Sequence, residues 1–242
     1  LSLVGSEMCI RDSARMAQMA RLTGHDDEAA AFEARREALN RTIHARFYDP
    51  ATQTYATGSQ LDMTYPMLVG ATPDSLRAGV EQRLFRLTHD VMKDHIGGGL
   101  VGVPVITRWA VRSHNPEFIY RMLKQRGYPG YLHMIDHGAT ATWEYWSGER
   151  SRVHNCYNGI GTWFYQALGG LRTDSSHPGY EHVFIDPQIP EGVEWCRIGK
   201  ETPYGRIDLG WEIADGELRI DVTLPPGVTA TAITPAGACR GR

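Results

Sequence analysis

The apolar residues of this chain change their spacing once, near Pro178, and this change limits the folds that the chain can adopt. Upstream of it, residues such as Leu39, Ile43 and Phe47 recur at helical spacing and make one apolar stripe. Downstream, apolar and polar residues alternate with a period of two through Ile207–Leu224, which is typical of half-buried strands. This order predicts a mainly α chain that ends in a β domain.

Several helices of the segment 14–176 are bounded by proline and glycine signals. Thr72-Pro73 and Asn115-Pro116 predict helix starts, because proline fits the first helical turn. Gly127 predicts a helix end, and Tyr157–Leu168 has the pattern of one more amphipathic helix. No repeat of fixed period is visible, so we expect a closed barrel of helical hairpins rather than a solenoid.

The segment 177–242 predicts a β-sandwich. Strands are expected over His182–Ile185 and Val193–Ile198, and a hairpin is expected around the turn Ala214-Asp215-Gly216. Trp211 alternates in phase with the inward-facing apolar residues of this hairpin. We therefore assign it to the core and not to a sugar-binding surface.

The two ends of the chain have unusual sequences. Residues 1–13 lack the order of basic, apolar and small residues that marks a signal peptide. They resemble a translated sequencing adapter, so we expect them to be foreign to the fold. The sequence ends at Cys239-Arg-Gly-Arg242, directly after a strand-like stretch. We therefore expect a C-terminal fragment with a truncated sandwich.

Composition excludes several classes of partner. The formal net charge of −3 gives no electrostatic footprint for nucleic acid or for an anionic membrane. No run approaches the eighteen or so apolar residues that span a bilayer. The four cysteines include no Cys-x-x-Cys pair, which argues against a zinc site. We expect no cofactor, no nucleic acid and no membrane as partners.

The stretch Gly138–Trp146, followed by His154, is the most informative part of the sequence about function. Here Glu144 stands between Trp143 and the pair Tyr145-Trp146. Aromatic rings pack against the apolar face of a pyranose, and a carboxylate can activate water at the anomeric carbon. The pattern indicates a sugar-cleaving site, although a tryptophan-rich helix end with a paired glutamate has the same composition.

Two histidine and aspartate clusters have spacings that could hold a metal ion. His133, Asp136 and His137 would share a helix face, and a second cluster lies in the polar segment 89–95. We interpret both as solvated or hydrogen-bonding side chains and predict no metal site.

The segment around Glu144 resembles the α-L-rhamnosidases, family 78 of the glycoside hydrolases. That family has the motif Gly-Ala-Thr-Thr-x-Trp-Glu-x-Trp, from which this chain departs only at Ala141. The resemblance extends over about residues 14–236. It includes the stretches Gly97–Pro104, Tyr128-Pro129, Leu132–Asp136, Gly161-x-Trp163-x-Tyr165, Pro178-Gly179-Tyr180 and Ile185-x-Pro187.

The resemblance implies part of a catalytic (α/α)6 barrel followed by a C-terminal β-sandwich. It also implies hydrolysis of terminal α-L-rhamnosyl bonds with inversion, on a rhamnose-containing glycoside or polysaccharide. Glu144 matches the family's general base, and His154 matches a histidine that hydrogen-bonds the sugar. Trp143, Tyr145 and Trp146 would support or line the sugar pocket.

The family's general acid would lie upstream of Ala14, outside this sequence. We therefore expect the chain alone to show no useful turnover. Cys156 and Asn158 depart from the common family pattern, and the short segment between Trp146 and Val153 affects the placement of His154. Two alternatives stay open: an inverting glycosidase on the same barrel that acts on another sugar, and a non-catalytic carbohydrate-binding relative.

Overall fold

The computed structural model describes residues 3–234 and 237–241, with side chains from residue 9 to residue 233. The chain divides into two compact units. The first comprises the residues up to 112 together with 121–159, and the second comprises 113–120 together with the residues from 160 onward.

The first unit is built mainly from helices. Helix α1 packs along α2, and Ile10, Ile43 and Ala71 form a small buried cluster. The helices are α1 (Leu3–Leu22), α2 (Asp26–Phe47), α3 (Gln60–Val69), α4 (Asp74–Arg86) with a π-helical turn at Leu87–Val91, α5 (Gly102–Arg112), α6 (Pro116–Leu123), which crosses the division between the units, and α7 (Tyr131–Asp136); two short strands, β1 (Tyr48–Asp49) and β2 (Thr54–Tyr55), pair after α2.

The starts of these helices follow the sequence signals closely, and the ends follow less well. Helix α6 begins at Pro116 as predicted but ends at Leu123, before Gly127. Helix α4 begins at Asp74, so Pro73 is its N-cap and not its first helical residue.

Residues 3–13, which we expected to be foreign, form the first half of α1. Within this half, the Ile10 side chain is buried against Ile43. Residues 1 and 2 lie outside the described part. The foreign origin of the segment stays a prediction.

The second unit contains two sheets that enclose one apolar core. Strands β3 (Leu171–Thr173), β4 (His182–Ile185), β8 (Thr229–Thr234) and β9 (Gly237–Gly241) form one sheet in the order β3-β4-β8-β9, and only its β4–β8 pair is parallel. Strands β5 (Trp195–Thr202), β6 (Gly205–Ala214) and β7 (Glu217–Thr223) form an antiparallel sheet in that order. The core between them consists of Leu171, Val183, Ile185, Ile207, Leu209, Val228 and Ala230.

The hairpin β6–β7 confirms the expectation from alternation. Its turn residues Asp215 and Gly216 both have positive φ, at 54° and 79°, as a tight hairpin turn requires. Trp211 is 3% exposed, and its Nε1 donates a hydrogen bond to Leu168 O at 2.7 Å. The prediction that Trp211 belongs to the core is confirmed, as is the order of a mainly α part before a β-sandwich.

A helical segment joins the two kinds of architecture. It comprises a 3-10 turn at Asn158–Ile160, an α-turn at Gly161–Trp163 and a π-helical turn at Phe164–Leu168. No helix in the described residues combines the length and the apolar character needed to cross a bilayer.

Candidate active-site loop

Residues 142–154, here called the Glu144 loop, fold back on themselves as an irregular hairpin. The Glu144 N–H donates to Ser151 O at 2.8 Å, and the His154 N–H donates to Thr142 O at 2.8 Å. These bonds place Glu144 and His154 on two facing arms. Residues 142–154 contain no helix, so the alternative of a tryptophan-rich helix end is wrong.

Trp143 forms the interior of this loop. Its side chain is 2% exposed, and Gly148 lies against the ring. A Cβ at Gly148 would come within 2.7 Å of the ring, and the backbone there has a φ of 73°. Both observations require glycine at this position. The Arg152 guanidinium stands over the ring, 5.2 Å from its centroid.

Trp146 anchors the Glu144 loop to the rest of the first unit. It is 9% exposed, and its Nε1 donates to Gly98 O at 3.1 Å. Its ring stacks on Tyr157 with centroids 3.8 Å apart and meets the Tyr131 ring edge-on at 5.2 Å. The Tyr131 hydroxyl donates to Tyr157 O at 2.8 Å, and burial raises the pKa of Tyr131 above its usual value. The hydroxyl therefore stays protonated and keeps donating.

A buried glutamine fixes the glycine-rich segment that receives Trp146. Gln60 is 1% exposed, and its Oε1 accepts the Gly97 N–H at 2.7 Å. Its Nε2 donates to Thr88 Oγ1 at 3.0 Å and to His95 O at 3.2 Å. Sequence reasoning missed Gln60, because no local pattern distinguishes a glutamine that hydrogen-bonds a segment 37 residues later.

Of the five residues selected from the sequence, Glu144, His154 and Tyr145 keep accessible functional groups. The Glu144 side chain is half-buried, and one of its oxygens, Oε2, lies 3.4 Å from the Ser151 N–H. The imidazole of His154 makes no hydrogen bond within residues 9–233. Tyr145 is 46% exposed, with the Arg150 guanidinium 5.4 Å from its ring centroid.

The five residues selected from the sequence therefore separate into two groups. The structure buries Trp143 and Trp146 as supports, while Glu144, His154 and Tyr145 remain accessible on one loop. A carboxylate, an imidazole and an aromatic face in this setting can bind a polyhydroxylated ring and deprotonate a water. The role of each residue stays a prediction.

The two clusters considered for metal binding have other partners. Asp136 pairs with Arg126 at 2.6 Å, and the rings of His133 and His137 lie against each other with centroids 4.1 Å apart. In the second cluster, Asp94 Oδ2 accepts from Arg121 Nε at 3.1 Å. Across the described residues, no group of three or more His, Cys, Asp and Glu side chains could hold a metal ion.

The structure therefore consists of a mainly helical unit and a unit that contains a two-sheet β-sandwich. A family model described as the bacterial alpha-L-rhamnosidase 6 hairpin glycosidase domain matches residues 2–168. A second, described as the bacterial alpha-L-rhamnosidase C-terminal domain, matches residues 170–241. The chain belongs to the bacterial alpha-L-rhamnosidase family, and the partial six-hairpin barrel expected from the sequence is confirmed. The predicted boundary between residues 176 and 177 stays a prediction.

Similar proteins include an alpha-L-rhamnosidase of Alteromonas sp. (strain LOR), which is 24% identical over 97% of this chain and 26% of that protein. Among solved structures, the Streptomyces avermitilis alpha-L-rhamnosidase complexed with L-rhamnose has a TM-score of 0.85 at 22% identity, over 94% of this chain and 22% of that one. The native Aspergillus terreus enzyme has a TM-score of 0.85 at 19% identity, over 96% of this chain and 28% of that one. The chain thus spans about a quarter of the length of the curated relatives that it matches.

Proposed function

We propose that this chain is the part of an inverting α-L-rhamnosidase that carries the general base, Glu144. The observation that carries the proposal is the geometry of the Glu144 loop, in which buried Trp143 and Trp146 hold an accessible carboxylate. The relatives are named alpha-L-rhamnosidases, and one solved neighbour was crystallised with L-rhamnose. The proposed substrate is a glycoside or polysaccharide with terminal α-L-rhamnosyl residues.

In an inverting hydrolysis, a carboxylate deprotonates a water that attacks one face of the anomeric carbon, while an acid protonates the leaving oxygen on the other face. Glu144 would take the proton from water on a free lone pair. The Ser151 N–H, whose nitrogen lies 3.4 Å from Oε2, would help to orient the carboxylate. The rigid support of the loop would hold this carboxylate at the distance that a water needs.

His154 and Tyr145 would bind the sugar. The Thr142 hydroxyl hydrogen-bonds the His154 carbonyl oxygen, and Thr142 O accepts the His154 N–H. These bonds fix the backbone from which the imidazole projects. The imidazole can donate to or accept from a sugar hydroxyl, and the exposed face of Tyr145 can pack on the ring carbons.

The general acid is proposed to lie in a part of the protein upstream of Ala14. Without an acid, an inverting site loses about 10²- to 10⁴-fold in rate. The 242-residue chain alone should therefore turn over an aryl α-L-rhamnoside at no useful rate. Substantial turnover by this chain would contradict the placement of the acid.

The test uses an aryl α-L-rhamnoside as substrate. The enzyme is the longest protein that the source DNA encodes around this sequence. Glu144→Gln should lower kcat by about 10²- to 10⁴-fold with little change in KM. The matched control is Glu149→Gln, because Glu149 is an exposed carboxylate on the same loop. The anomer formed first, followed by NMR, should be the inverted one.

Other outcomes identify the alternatives. A folded parent that binds L-rhamnose without hydrolysing any rhamnoside would indicate the carbohydrate-binding relative. A parent that hydrolyses a different glycoside in a Glu144-dependent way would keep the base and change the sugar. An equal fall in kcat in the Glu144→Gln and Glu149→Gln variants would contradict the assignment of Glu144 as the general base.

A further inference from the structure

The outer face of the sheet β5-β6-β7 carries side chains that the sandwich core does not use. Ile207 and Leu209 point inward and are 1% and 2% exposed. The residues between and beside them in register point outward. Across this face the register aligns Trp195 with Glu212 and Arg219, and Arg197 with Gly210 and Asp221.

Among the residues whose exposure the structure describes, Trp195 is the aromatic residue with the largest exposed fraction. It is 66% exposed and stands at the start of the edge strand β5. Trp211, one register position away on the neighbouring strand, is 3% exposed. A large ring held in water does not gain the free energy that burial would give it, so the ring is available to pack against a ligand.

The outer face beside Trp195 forms an open groove of about 710 Å³, within the usual range for ligand sites. Gly210 leaves the middle strand without a side chain, and the stem of Arg197 lies over it, with Cγ 3.4 Å from where a Cβ would be. Asp221 stands on the opposite side of Gly210. The groove therefore has an aromatic end and a polar floor.

The polar groups of this groove are available to a ligand. Within residues 9–233, the side chains of Arg197, Glu212 and Asp221 make no hydrogen bond or ion pair. Asp208 differs, because its carboxylate accepts from Arg206 Nε at 2.9 and 3.0 Å. Arg197 supplies donors, and the two free carboxylates supply acceptors.

We propose that this groove is a carbohydrate-binding surface that takes a neutral oligosaccharide, with Trp195 as the stacking platform. The apolar face of a pyranose fits a planar ring, and its hydroxyls match separate donors and acceptors on the rim. Four acidic residues and one arginine line the groove, which disfavours polyanions such as nucleic acids. The proposal does not depend on the role of Glu144.

The test measures binding of the 242-residue chain by calorimetry and by affinity electrophoresis. The probes are a neutral rhamnan oligosaccharide, cellohexaose and, as the acidic counterpart, polygalacturonate. Trp195→Ala should weaken binding of a neutral probe by at least about tenfold, and Trp195→Tyr should restore most of it. Tyr204→Ala is the matched control, because Tyr204 is an exposed aromatic residue in the turn between β5 and β6 and does not line the groove.

A His154→Ala variant separates this surface from the Glu144 loop. Binding that persists in His154→Ala and is lost in Trp195→Ala supports the proposal, whether or not the parent hydrolyses rhamnosides. The proposal is overturned if no neutral probe binds, or if polygalacturonate binds better than the two neutral probes. It is also overturned if His154→Ala reduces binding and Trp195→Ala does not. Sedimentation gives one more decisive result: a wild-type oligomer that Trp195→Ala dissociates would assign the face to self-association.

Discussion

The Glu144 loop and the outer face of the sheet β5-β6-β7 use tryptophan next to carboxylates in opposite ways. On the loop, Trp143 is 2% exposed and directly precedes the half-buried Glu144. On the sheet, Trp195 is 66% exposed and stands opposite Glu212. A buried tryptophan can contribute to a site only by holding the backbone in place, whereas an exposed one can contact a ligand directly.

This difference separates stability from function. On the loop, replacing a buried tryptophan should lower the free energy of unfolding and the activity together. On the sheet, it should change binding alone. Urea unfolding of the 242-residue chain, followed by circular dichroism, measures the effect of each change on stability.

The largest effect is expected for Trp146→Ala. The substitution removes the stack on Tyr157, opens a cavity and leaves Gly98 O without its donor. Loss of a buried tryptophan of this kind costs about 3–5 kcal/mol. Trp146→Phe keeps a ring in the stack and should cost about 1–3 kcal/mol. A loss below about 1 kcal/mol for Trp146→Ala would show that the loop is not anchored through this residue.

A somewhat smaller loss is expected for Gln60→Leu. The change keeps the volume but leaves the Gly97 N–H and His95 O without their partner. Unsatisfied buried groups cost about 1–3 kcal/mol each, partly relieved by relaxation, so we expect about 2–3 kcal/mol. Gln125→Leu is the control, because the Gln125 side chain donates a solvent-exposed hydrogen bond to Arg121 O. Equal losses in the two variants would contradict the role of Gln60 in holding the glycine-rich segment.

The β-sandwich could be predicted from the sequence in more detail than the helical unit. Strict alternation and the turn Asp215-Gly216 predict the hairpin β6–β7, because both signals act within a few residues. Helix α3 was missed, since it is short and contains Pro66, which normally ends a helix. Its start instead depends on the Ser59 side chain, which accepts the Asp62 N–H at 3.1 Å.

In the candidate site, too, local sequence signals predict only part of the structure. A motif of nine residues identifies Glu144, but it does not tell which aromatic neighbour is buried. Trp146 is buried against Tyr131 and Tyr157, and its N–H donates to the carbonyl of Gly98, 48 residues earlier. Partners so far apart in sequence follow from the tertiary fold, and one sequence does not contain them as a local pattern.

A moderate effect is expected for Tyr131→Phe, which removes only the hydroxyl that donates to Tyr157 O. The loss should be about 1–2 kcal/mol. It should also depend on pH, because burial raises the pKa of Tyr131 above the ordinary value of 10. Above about pH 10, the unfolded chain releases the phenol proton of Tyr131, while the folded chain retains it. Wild-type stability should therefore fall more steeply with alkaline pH than that of Tyr131→Phe; parallel curves would contradict the burial of this hydroxyl.

The smallest effect on stability is expected for Trp195→Ala, within about 0.5 kcal/mol of the wild type, although the same change should weaken glycan binding. Trp211→Ala is its matched control, because the two residues stand on neighbouring strands but on opposite faces of one sheet. The control should lose about 3–5 kcal/mol, since Trp211 fills the core and donates to Leu168 O. If Trp195→Ala lost as much as Trp211→Ala, the exposed ring would be a structural element, and the contrast with the Glu144 loop would disappear. If it lost almost nothing and binding also stayed unchanged, the outer face would be an ordinary solvated surface.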